Sequence, residues 1–292
     1  MYEVSLVYDA HAALGEGPVW DPINARLYWV DILANKIHIY DPNQPHLSSY
    51  IEVGPYVSSV IPRRSGGLVV TLQDGFYAFD PESAELTLLA KVESPELGNR
   101  FNDGKCDPSG RYLAGTMSLN DVVGNGKLYC LDLDHTVKPL VSEVTISNGL
   151  AWTSDGTTLY FIDTPTQQVV AYDYELTTGA LSNRRVAITI PDEEGYPDGM
   201  TIDSEGMLWI AHWGGWQVAR WNPITGDKLL SIPIPASQVT SCTFGGPELD
   251  ELYITTASVG LDAEKLATQP HAGGLFRVKV GVTGLPFEPF RG

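Results

Sequence analysis

Apolar residues along this chain come in short runs rich in Val, Ile, Tyr, Phe and Trp, and each run is bounded by Gly, Pro, Asn or Asp. This pattern predicts β-strands joined by tight turns, and helical periodicity is nearly absent. One stretch reads GPVWDP, RLYWVDI, KIHIYDP, LSSYIEV; another reads GMTID, MLWIAHW, QVARWNP, KLLSIPI. Each predicts four consecutive strands.

The runs repeat. ISNGLAWTSDGTTLYFID, residues 146 to 163, sets beside YPDGMTIDSEGMLWIA, residues 196 to 211, with a polar residue and Gly opening both. Taking the residue eight positions before the first turn as the anchor gives Glu16, Ser58, Asn102, Asn148, Asp198 and Cys242, spaced 42, 44, 46, 50 and 44 residues apart. Six four-stranded units of this length predict an all-β, six-bladed β-propeller with antiparallel blades, filling residues 1–292 as a single domain. The last unit offers SCTFGG, LYITTA and GGLFRVKV but no clear fourth strand, whereas EVSLVY at residues 3 to 8 precedes the first unit as an orphan. If that opening strand completes the last blade, the ring is latched and its edge is paired. The tail GLPFEPF is the other source for the missing strand.

Equivalent positions of a rotational repeat face one axis, so the anchor column converges near one mouth of a central channel. Two carboxylates and two amides confined there are poorly solvated and mutually repulsive unless a cation neutralises the acids. Oxygen donors select a hard divalent ion: Ca²⁺ foremost, with Mg²⁺ or Mn²⁺ also suited and Zn²⁺ still able to bind through carboxylates. The plainer alternative is a channel lined by polar residues that bind only water, with Asn-Gly and Asp-Gly serving as turn formers.

Composition narrows the partners. A formal charge of −18 disfavours nucleic acid and anionic membrane surfaces, which repel such a chain. Cys106, Cys130 and Cys242 are too few and too far apart for a disulfide framework or a CxxC metal knuckle, which fits a reducing compartment. The start lacks a basic segment followed by an apolar one, so a cytoplasmic protein is expected, as a monomer or weak homo-oligomer.

LGEGPVW, RFNDGKCDPSGRYLAGTM, ISNGLAW, YPDGM, TSCTFGG and QPHAGGLFRV together resemble the regucalcin, gluconolactonase and luciferin-regenerating enzyme family, also called the senescence marker protein family, from about Leu14 to the C-terminus. The resemblance implies a six-bladed propeller with one divalent ion held by Glu16, Asn148 and Asp198, and hydrolysis of small lactones, sugar-derived ones in particular. It also implies that Arg100 and Asn102 contact substrate oxygens, with Asp103 beside them. Asp198 is the candidate for activating water, and Asp103 is the reserve base. Vertebrate members carry a longer, acidic loop after GTM that helps hold the sugar. Here that loop, Ser118 to Gly126, is short and has only Asp121.

Other chemistries find less support. No GxSxG elbow exists, and the histidines at 11, 38, 46, 135, 212 and 271 form no HExxH pattern. His212 is the histidine expected nearest the channel, although packing among Trp209, Trp213 and Trp216 accounts for it better. DLDHT at 132 to 136 lacks the Gly and closing Glu of a calcium loop. Cys242 reads as a small core residue. The competing function is a calcium-binding or scaffolding propeller without turnover, against which Arg100 argues, since an ion store needs no substrate donor.

Overall fold

The structure is a computed structural model that describes residues 2–93 and 98–292. Six four-stranded antiparallel sheets follow one another in chain order. The first blade holds β2 (Gly15–Asp21), β3 (Arg26–Asp31), β4 (Lys36–Tyr40) and β5 (Ser49–Glu52), numbered from the innermost strand outward. The second holds β6 (Ser59–Pro62), β7 (Leu68–Leu72), β8 (Gly75–Asp80) and β9 (Glu85–Lys91). The third is β10 (Asn99–Cys106), β11 (Tyr112–Ser118), β12 (Gly126–Leu131) and β13 (Val137–Val144). The fourth is β14 (Ser147–Trp152), β15 (Thr158–Asp163), β16 (Gln168–Glu175) and β17 (Ala180–Thr189). The fifth is β18 (Tyr196–Ile202), β19 (Leu208–Trp213), β20 (Gln217–Trp221) and β21 (Lys228–Pro233).

The sixth blade comprises β22 (Val239–Gly245), β23 (Glu251–Thr256) and β24 (Leu275–Lys279), completed by β1 (Ser5–Tyr8). Ser5 pairs with Arg277 and Leu6 with Phe276, so the opening strand latches the ring. A short helix α1 (Ala263–Thr268) interrupts the blade before β24.

The C-terminal tail does not supply the missing strand. Gly284 donates its N–H to Leu249 O at 2.8 Å, and Phe290 exchanges backbone hydrogen bonds with Pro62 O and Arg64 N at 3.0 and 2.8 Å. The tail therefore runs from the turns of blades 5 and 6 to those of blade 2, and its Phe290 ring is fully buried. An edge already paired with β1 leaves it no ladder to join.

Burial falls outward through each blade. Every residue of β14 is buried, whereas β9 alternates between exposed and half-buried positions. Inner strands have a neighbouring blade on both faces and are buried even where they carry polar residues, as β14 (SNGLAW) and β10 (NRFNDGKC) do, while outer strands face water. Among the described residues no helix is long and apolar enough to cross a membrane.

Candidate functional site

Four of the six innermost strands carry a register shift at the anchor column: β2, β10, β14 and β18 are bulged there, β22 is bulged before it, between Val239 and Ser241, and β6 is not bulged. A bulge bends the strand and re-aims the side chain beside it. It turns Glu16, Asn102, Asn148 and Asp198 toward the axis, where all four are buried. Gly17, after Glu16, takes a left-handed φ of 54°, whereas the glycines after Asn148 and Asp198 have a steric reason. A Cβ on Gly149 would lie 2.9 Å from Asp198 O, and one on Gly199 would lie 2.1 Å from Ser241 Oγ. Neighbouring inner strands approach so closely that only glycine fits between them.

A chain of hydrogen bonds crosses three blades. Arg100 Nη1 donates to Asn102 Oδ1 at 2.7 Å and to Phe101 O at 2.8 Å. Asn102 Nδ2 donates to Asn148 Oδ1 at 3.1 Å and to Ser147 O at 2.9 Å. Asn148 Nδ2 in turn donates to Thr164 Oγ1 at 2.8 Å, whose hydroxyl donates to Pro197 O at 2.8 Å. Each amide is thereby oriented, with the Asn148 oxygen on the side of Asn102.

The acids are arranged differently. Glu16 Oε2 accepts from Gly17 N at 3.0 Å, and Asp103 Oδ1 from Gly104 N at 2.7 Å. The Glu16 and Asp198 carboxyl groups lie close enough to perturb each other. Burial, with the nearby Asp103 charge, pushes the Glu16 carboxyl up to about 8. Burial and the Glu16 and Asp103 charges raise Asp198 well above the carboxylate range, and burial raises Asp103. Burial draws Arg100 down to about 10, against the fields of Glu16, Tyr56 and Asp198.

Asp198 Oδ1 is buried without a hydrogen-bond partner. The buried acids at the turns of the opposite face are not like this. Asp107 accepts from Arg111 Nη1 at 2.8 Å and Tyr174 OH at 2.6 Å, and Asp203 accepts from Trp209 Nε1 at 2.9 Å and Arg220 Nε at 2.7 Å. Buried polar atoms are nearly always paired, so an orphaned carboxylate oxygen beside a second carboxylate marks a place where something positive is expected.

The remaining column members serve the frame. Ser58 Oγ lies 2.6 Å from Phe101 O and ties blade 2 to β10. The Cys242 thiol faces Trp209 O at 3.4 Å and packs into the core between blades 5 and 6. His212 is buried, with Nδ1 3.0 Å from Glu194 O and its ring stacked on Trp221, and burial draws it down to about 4. The packing role expected for it is borne out with a different tryptophan. Residues 119–125, between β11 and β12, are fastened by Leu119 N to Gly98 O at 2.7 Å and by Asn125 Nδ2 to Asn99 Oδ1 at 2.7 Å. Two polar residues escaped the sequence pattern: Thr164, in a turn that carries no repeat signal, and Lys105, hidden by its place mid-strand.

The SMP-30/Gluconolactonase/LRE-like region matches residues 14–258. The chain belongs to that family. Among its relatives, this gluconolactonase-like protein is 40% identical over 284 residues to a putative sugar lactone lactonase, YvrE, of Bacillus subtilis (strain 168), covering 97% of each chain. It is 43% identical over 285 residues to regucalcin of Gallus gallus, covering 96% of this chain and 95% of that one. Of the solved structures, the calcium-binding protein regucalcin from Agrobacterium tumefaciens str. C58 superposes with a TM-score of 0.95 at 28% identity, covering 99% of this chain and 98% of the other.

Proposed function

We propose that this chain hydrolyses small lactones, sugar-derived ones foremost, with one divalent cation held by Glu16, Asn148 and Asp198. The observation that carries the reading is the unpartnered Asp198 Oδ1 beside Glu16, with the Arg100 guanidinium within reach of their charges. Family membership and a relative named as a sugar lactone lactonase support it.

The donor set suits a hard cation, since it offers two carboxylates whose ionised forms are unstable together and one oriented amide oxygen. Among the described residues no group of three or more His, Cys, Asp or Glu side chains gathers as a metal site. A set completed by an asparagine is not of that kind. Ca²⁺ is the favoured ion, in keeping with the calcium-binding relative. When bound, the cation supplies Lewis-acid polarisation of the substrate carbonyl.

The chain does the rest. Arg100 Nη1 is committed to Asn102 Oδ1 and Phe101 O, which leaves Nη2 to donate to substrate hydroxyl or ring oxygens. Asn102 holds both that guanidinium and the Asn148 amide in place. Water adds to the lactone carbonyl carbon and gives a proton to the Asp198 carboxylate, whose two oxygens divide between proton and cation; Asp103 is the reserve acceptor. The ring C–O bond then breaks, its oxygen takes a proton, and a hydroxy acid leaves. Near neutral pH that acid ionises.

The test follows from the product. Proton release from gluconolactone or xylonolactone is followed at constant pH with Ca²⁺, Mn²⁺ or Zn²⁺ and with a chelator control. A cation-dependent rate above the spontaneous one is expected, and no such rate on a broad lactone panel overturns the reading. In that event the calcium-binding propeller without turnover stands.

A further inference from the structure

Beneath the acids the axial channel continues as a cavity of about 400 Å³ that reaches the opposite face of the propeller. Asp103, Lys105, Thr201, Ser241 and Thr243 line it with polar groups, while Phe244, Leu285 and Phe287 make its apolar wall. Leu285 and Phe287 belong to the C-terminal tail, which is pinned at Leu249 and Pro62 and so forms a fixed edge of the opening.

Lys105 is half-buried on β10, and it lines this cavity. Its Nζ donates to Met200 O at 2.7 Å, which fixes the nitrogen against blade 5. Asp103, two residues earlier on the same strand, acts on it through charge. Lys279 is the contrast. Its Nζ lies 2.8 Å from Asp250 Oδ2 at the surface, and that pair holds it protonated. Burial instead weakens the hold of Lys105 on its proton, although the Asp103 charge opposes this. A lysine desolvated in a cavity is the setting in which an amine becomes a nucleophile.

We propose that Lys105 is a carbonyl-capturing lysine, condensing reversibly with small aldehydes that enter the cavity from the face bearing the tail. The Nζ lone pair forms the C–N bond while the carbonyl π pair moves to oxygen, which takes the proton of the Asp103 carboxyl group. The nitrogen then gives its proton back to Asp103. Its lone pair closes the C=N bond as the C–O bond breaks, the oxygen departs as water with the proton of Asp103, and the iminium nitrogen then returns its own proton to Asp103. Amine and aldehyde become imine and water, and no oxidant is needed. Burial raises the affinity of Asp103 for a proton, as this shuttle requires. The threonine and serine hydroxyls suit a hydroxylated aldehyde, and the apolar wall sets its far end.

This capture needs neither a lactone nor a cation, so it stands or falls apart from the lactonase reading. The full chain is incubated with propanal and sodium cyanoborohydride, which reduces an imine to a stable propyl amine, and the lysines are mapped by mass spectrometry. Propylation is expected at Lys105 severalfold ahead of Lys228 and Lys279, slowed in Asp103→Asn and lost at this site in Lys105→Arg. Propylation confined to exposed lysines, with Lys105 unmodified in the wild-type chain, overturns the proposal. The wild-type map alone decides it if a variant fails to fold.

Discussion

Asn102 and Asn148, on different blades, are joined by a single amide hydrogen bond of 3.1 Å, and that bond links the guanidinium of Arg100 to the oxygen proposed as a metal donor. The two halves of the site, substrate donor and cation cradle, are thus one network. Its far end is Thr164, which fixes the Asn148 amide and anchors on Pro197, next to Asp198.

Thr164→Val keeps the shape of this side chain and removes both bonds. Outer-shell partners of metal ligands typically contribute 10- to 100-fold in affinity. Cation affinity is expected to fall by about that much while the circular dichroism spectrum is unchanged, with calorimetric titration as the readout. An unaltered affinity would remove Thr164 from the site.

Asp198→Asn separates the cost of the site from its use. Two buried carboxyl groups that act on each other through charge are held in a strained ionisation state, which the amide relieves. The variant is expected to melt higher than the wild-type chain in chelator and to lose cation-dependent lactone hydrolysis. A lower melting temperature in chelator would show that the pair is not repulsive.

Stability should depend on pH with two opposite signs. The Glu16 carboxyl is raised to about 8, so between 4.5 and 8 the folded chain binds more protons than the unfolded one. In chelator its contribution is present below 4.5 and lost as pH rises through 8. His212 is depressed to about 4, so its contribution is present above 6.5 and lost as pH falls through 4. Urea titrations across pH should show Glu16→Gln reducing the upper limb, to which the raised Asp198 also contributes, and leaving the acid limb in place.

The strand count, the blade boundaries and the latch were legible because each rests on a pattern the chain repeats: apolar runs, turn residues, and an orphan strand at the start for a blade short of one at the end. Glu16, Asn102, Asn148 and Asp198 were legible for the same reason, since a rotational repeat turns a column of sequence into a ring in space. Cys242 fell in that column but lies beyond the bulge between Val239 and Ser241, opposite Ile254 as Met200 is opposite Ile210, so its thiol packs into the blade core. A one-residue shift exchanges the two faces of a strand. Thr164 and Lys105 repeat nowhere, and only the meeting of separate blades gives them partners. The path of the tail was equally hidden, since GLPFEPF reads as strand or strap until the sixth blade is seen to be full.

Calorimetric titration of Ca²⁺ into the chelator-treated chain near pH 7, in two buffers of different ionisation enthalpy, tests the central claim most directly. Raised carboxyl groups must give up protons to a bound ion. The expected result is one ion per chain, with protons released on binding and both lost in Asp198→Ala. Binding that persists in that variant, or no binding of Ca²⁺, Mn²⁺ or Zn²⁺ to the wild-type chain, would contradict the account.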